Sequence, residues 1–60
     1  MSLSKDKEFE VGIYLGETFS LQGKLESSME KYRICSELIP QNIYILYRIF
    51  SLSLRMNDLK

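Results

Sequence analysis

The chain has no histidine and no tryptophan, and only one cysteine and one proline in 60 residues. Without histidine, the imidazole used by most general acid–base and nucleophilic mechanisms is missing, and any base would have to be a perturbed carboxylate or lysine. The Asp and Glu residues fall among polar neighbours on the expected exteriors of helices, so the sequence points away from an enzyme. A lone Cys35 cannot close an intramolecular disulfide, and with no histidine a Cys/His zinc site is excluded; neither metal nor cofactor is expected. Set among apolar residues, Cys35 reads as a small core side chain.

An excess of one charge is also lacking, since 8 Lys and Arg balance 8 Asp and Glu. The chain therefore has no basic footprint for nucleic acid and no field to draw it to an anionic membrane. Long apolar runs are absent as well. The most apolar stretch, Ile43 to Leu54, is interrupted by Arg48 and falls short of the roughly 20 residues that span a bilayer; it reads as a buried helix or an interface. The N-terminal MSLSKDKEFE is polar where a secretory signal carries an apolar core, which predicts an intracellular, cytoplasmic protein. A chain this short forms one domain at most, near the size at which one core is only marginally stabilising. With disulfide and zinc excluded, the support that remains is neighbouring repeats or another copy of the chain.

The residues present describe an all-α fold. Ser4 or Asp6 can cap a first helix that runs to about Leu21, with Glu8 and Glu10 near its positive end. Val11, Leu15 and Phe19 recur every four residues as its apolar face, and Gly12 and Gly16 repeat on an adjacent strip. Each interior glycine costs roughly 0.8 to 1.0 kcal/mol against alanine, which is explained if a second helix lies close against that strip. Gly23 suits a left-handed C-terminal cap. A second helix from Lys24 or Leu25 carries Leu25, Ser28, Met29, Tyr32, Cys35, Leu38 and Ile39 on one side, and Glu30 and Arg33 are placed to meet. Pro40 ends it, and Asn42 caps a third helix from Ile43 to about Met56. Alternation at Phe50, Leu52 and Leu54 also fits a strand, but the length of the run and the Pro-Gln-Asn punctuation favour helix. Because this helix is apolar nearly all round, it predicts partners on two sides, of which the hairpin covers one.

The chain echoes itself at one offset: Leu15 and Ile49, Gly23 and Asn57, and Leu25 and Leu59 are each 34 residues apart. Asn57 is thus expected to repeat the turn made at Gly23. Together with Leu15-Gly16, Phe19, Ser28, Tyr32 and Pro40, this spacing resembles the tetratricopeptide repeat family. Gly23 and Cys35 match its turn glycine and later small position. Gly12 replaces the family's large first aromatic, Ser28 replaces its alanine, and Phe50 stands where a second repeat would have its small glycine. The resemblance implies a leader and helix start over residues 1–8, one helical hairpin over 9–42, and the first helix of a further repeat over 43–60. RNA-reading pentatricopeptide repeats are also helical hairpins, but they place a longer second segment before their proline than the 17 residues from Gly23 to Pro40.

By resemblance, first helices line a groove for a peptide or helix, placing Tyr14, Glu17, Leu21, Tyr44, Tyr47, Arg48, Ser51 and Arg55 on its wall. Tyrosines there offer broad contact, and Arg48 with Arg55 can fork onto a carboxylate. The clamp for C-terminal carboxylates in some relatives needs Lys and Asn where this chain has Ile13 and Glu17, so that use is not expected. The function implied is a protein–protein interaction module, a scaffold or adaptor with a protein or peptide partner. A self-associating structural module, using Ile45, Phe50, Leu52 and Leu54, is the other expectation.

Overall fold

The computed structural model describes residues 4–58, and the expectations placed on Met1 to Leu3 and on Leu59 lie outside them. The fold is all-α: α1 spans Lys5–Leu21, α2 Leu25–Leu38 and α3 Ile43–Asp58. Ser4 caps α1 through its hydroxyl oxygen, which accepts from the Lys7 amide at 3.3 Å. Asn42 caps α3 likewise, its Oδ1 accepting from the Ile45 amide at 3.3 Å.

Between α1 and α2 the chain turns through Gly23, whose φ of 81° lies in the left-handed region. The Lys24 amide donates to the Phe19 carbonyl at 2.9 Å and the Gly23 amide to that of Ser20 at 3.1 Å. These are the paired bonds of a Schellman cap, and they close the end of α1. Pro40 follows the end of α2 at Leu38, consistent with the missing amide and fixed φ of proline.

The seam of the hairpin is the glycine strip. A Cβ on Gly12 would overlap Sγ of Cys35, and one on Gly16 would lie 2.7 Å from Cδ1 of Tyr32. Gly12 facing Cys35 and Gly16 facing Tyr32 fixes α1 and α2 as antiparallel. At the centre of the seam Ser28 Oγ donates to the Gly16 carbonyl at 2.6 Å, satisfying a buried hydroxyl. α3 packs chiefly on α2 and runs parallel to α1, which its long side chains reach: Tyr44 reaches Glu17, and Arg55 further along reaches Ser20. The buried core consists of Phe9, Leu25, Tyr32, Cys35, Ile45 and Leu52, with Ile13, Met29, Ile39, Ile49 and Met56 packed around it. The molecule measures 41 × 22 × 12 Å between Cα atoms.

Four expectations are corrected. Val11 and Leu15 are not the buried face of α1; they are 49% and 37% exposed, with Phe19 half-buried, because the glycine strip brings α2 onto Phe9, Gly16 and Ser20 instead. Ile45 and Leu52 do not lie on a free side of α3 but point into the hairpin, where they are 0% and 3% exposed. Asn57 does not repeat the turn of Gly23: α3 continues through Asp58, and no non-glycine residue among those described has positive φ. Unlike glycine, asparagine meets the Cβ clash of the left-handed region, and Asn57 keeps helical backbone. Glu30 and Arg33 form no ion pair, since both are exposed, and a solvated pair gains little for the side-chain freedom it gives up. Among the described residues no helix is long and apolar enough to cross a membrane.

Candidate functional site

Three surfaces combine position with chemistry, and α3 contributes to all of them. Its face at Ile45, Ile49, Leu52 and Met56 is covered by the hairpin. Turning about 60° to 120° around the helix from that face brings Arg48, Arg55, Tyr44 and Ser51 alongside α1. The opposite side presents Ile43, Leu46, Phe50 and Leu54 to solvent.

The polar side is a connected network. Tyr44 Oη donates to Glu17 Oε1 at 2.8 Å, and Arg48 Nη2 stands 3.6 Å from the same oxygen. Arg48 also donates to Tyr32 Oη at 3.2 Å, and its guanidinium carbon lies 5.8 Å from the Tyr32 ring centroid and 5.9 Å from that of Tyr44. These distances are within the range of cation–π attraction. The Glu17 carboxylate holds the Tyr44 phenol above its usual range by accepting its hydrogen bond, with burial adding to the effect and Arg48 opposing it. Arg48 is held more firmly protonated, first by its bond to Tyr32. Farther along, Arg55 Nη1 donates to Ser20 Oγ at 2.7 Å.

Two depressions flank this network. A groove of about 300 Å³ between α1 and α3 is lined by Phe9, Glu10, Ile13, Tyr14, Glu17 and Tyr44. A smaller cleft of about 80 Å³ is lined by Ser20, Tyr32, Arg48, Ser51, Leu52 and Arg55. The expected groove residues therefore divide: Tyr14, Glu17 and Tyr44 meet in the first depression, and Arg48, Ser51 and Arg55 in the second. Leu21 and Tyr47 are exposed and line neither. Arg48 and Arg55, expected as open forks for a partner's carboxylate, are instead engaged with Tyr32 and Glu17 and with Ser20.

Sequence reasoning did not single out Glu10, Phe9 or Ser20 for these surfaces. The spacing of Glu10, Tyr14 and Glu17, four and then three residues apart, is a helical face and was the available signal for the first. Of the residues expected to self-associate, Phe50 and Leu54 are exposed, and Leu46 joins them at the same four-residue spacing. Cys35 is fully buried, with its thiol directed at the Phe9 carbonyl at 3.5 Å, and burial raises its pKa. Among the described residues no group of three or more Cys, Asp or Glu side chains is placed to hold a metal ion.

The chain matches no protein-family model, and it has no significant match among curated proteins or solved structures.

Proposed function

We propose that the chain is a protein–protein interaction module of tetratricopeptide type, a scaffold that assembles through the free face of α3 onto a second copy of itself. The observation that carries this reading is the row Ile43, Leu46, Phe50 and Leu54, which is 79%, 52%, 63% and 50% exposed on one side of one helix. At about 200 Å² for a fully exposed side chain of this size, the row presents on the order of 500 Å² of apolar surface. Soluble monomers rarely carry a larger contiguous patch, and with a polar rim the row approaches the roughly 800 Å² per partner of a standard interface. A two-fold pairing of α3 on α3 covers the row with its own complement.

Light scattering over a concentration series tests the reading. The native chain should rise from monomer towards dimer mass, and Phe50→Lys or Leu54→Lys should hold it at monomer mass with its helical circular dichroism retained. A native chain that stays monomeric throughout, or lysine variants that associate as before, would overturn it.

A second reading is favoured by the direction of α3, which runs parallel to α1 as the next hairpin of a helical solenoid would. In it, the covering helix comes from further repeats of a longer chain. A monomeric sixty-residue chain whose row becomes protected when the sequence is extended would select that reading over the first.

A further inference from the structure

The groove between α1 and α3 lies on the other side of α3 from the assembly row and shares no lining residue with it. Its floor is apolar, formed by the buried ring of Phe9 and the half-buried Ile13. Its walls are the exposed rings of Tyr14 and Tyr44. Both charged residues lining it are acidic, Glu10 and Glu17, and among the described residues no Lys or Arg lines it. Glu10 and Glu17 are seven residues apart on α1, so two helical turns, about 10 Å, separate them on one face with Tyr14 between.

The two acids are not neutralised to the same degree. Both contacts to Glu17, from Tyr44 and from Arg48, fall on Oε1, and no hydrogen bond or ion pair among the described residues uses Oε2. Glu10 makes no ion pair or side-chain hydrogen bond among the described residues. The groove thus offers carboxylate acceptors and exposed π faces above an apolar floor, which is complementary to a long side chain with a cationic end. Arg48 demonstrates the chemistry from outside the groove: its guanidinium lies over Tyr44 and against Glu17 Oε1.

We propose that this groove receives the side chain of an arginine presented by a partner polypeptide. The methylene stem covers Ile13 and Phe9, the guanidinium lies against Tyr14 and Tyr44, and its N–H groups donate to Glu17 Oε2 with Glu10 adding attraction at the rim. Arginine fits better than lysine because a planar guanidinium both stacks on aromatic rings and forks onto a carboxylate, whereas an ammonium is a compact and strongly hydrated charge. A groove of about 300 Å³ accommodates one such side chain with part of its neighbour's backbone.

The test is a titration of the intact chain followed by amide chemical shifts, using N-acetylarginine amide, the lysine analogue, and the citrulline analogue, which keeps the shape of arginine without its charge. The arginine probe should shift the amides around Glu10, Tyr14, Glu17 and Tyr44, and the citrulline probe should bind at least fivefold more weakly. Glu10→Gln, which leaves the Glu17 network intact, should weaken arginine binding about threefold, and Glu17→Gln should weaken it further. Citrulline or lysine binding as tightly as arginine, arginine shifts mapping elsewhere, an unchanged affinity in Glu10→Gln, or no shift at all would each overturn the proposal.

Discussion

Replacing Gly16 by alanine sets helix propensity against packing at one atom. On an exposed helical site the change stabilises by about 0.8 to 1.0 kcal/mol. At Gly16 the added methyl would lie 2.7 Å from Cδ1 and 3.1 Å from Cζ of Tyr32, well inside the roughly 3.5–4.0 Å optimum for carbon pairs. Tyr32 has little room to turn away, being 1% exposed and tied through its hydroxyl to Arg48. Relief must come from moving α2 off α1, which stretches the 2.6 Å bond from Ser28 to the Gly16 carbonyl. Overpacking of this kind costs about 1 to 3 kcal/mol, so the net expectation is a loss of up to about 2 kcal/mol. That is a large part of the roughly 3–5 kcal/mol available to a single core of this size. Urea unfolding followed by far-ultraviolet circular dichroism measures it, with Ser27→Ala on the exposed face of α2 as a propensity control that should gain about 0.5 kcal/mol or less. A Gly16→Ala midpoint that moves upward with the control would refute the close-seam argument.

Two further outcomes follow from the caps and the buried thiol. Asn42→Ala removes the acceptor for the Ile45 amide and should lower stability by about 1 kcal/mol; an unchanged urea midpoint would mean that Asn42 contributes nothing as a cap. Cys35 should react with iodoacetamide slowly in the folded chain at mildly alkaline pH and quickly once denaturant is added, because burial keeps the thiol protonated. Labelling at the rate of an exposed thiol without denaturant would contradict its position in the seam. The sign of its pH effect is fixed: the folded pKa is raised, so this group's share of stability is intact below the unfolded thiol's pKa and is lost as pH rises through the folded one.

The proposed assembly row and the proposed arginine groove would make different demands on α3, and the helix divides its circumference between them. One side holds Ile45 and Leu52 in the core, the flank towards α1 carries Tyr44 and Arg48, and the far side exposes Ile43, Leu46, Phe50 and Leu54. A partner in the groove would meet Tyr44 and Glu17 already holding one another, so less of their rotamer freedom would be lost on binding than at an unsupported surface.

The sequence by itself determined where α1 and α2 begin and end, where α3 begins, and which small residues allow the close approach of α1 and α2. Ser4, Gly23, Pro40 and Asn42 act through their own backbone chemistry, as caps, a left-handed turn and a stop, within a few residues of the bonds they control. Gly12 and Gly16 announced a close seam because no other residue removes a Cβ. Which of two adjacent stripes on α1 would be buried was decided by tertiary packing, since the apolar stripe of Val11 and Leu15 and the glycine strip have the same period. The same holds for α3, where an apolar circumference does not distinguish the side of Ile45 and Leu52 from that of Phe50 and Leu54 until the hairpin covers one. The groove is a tertiary product altogether: Glu10 and Glu17 share a helical face that can be read in the chain, but Tyr44 reaches Glu17 from 27 residues away. It is the course of α3 beside α1 that brings both Tyr44 and Arg48 to one oxygen of that carboxylate.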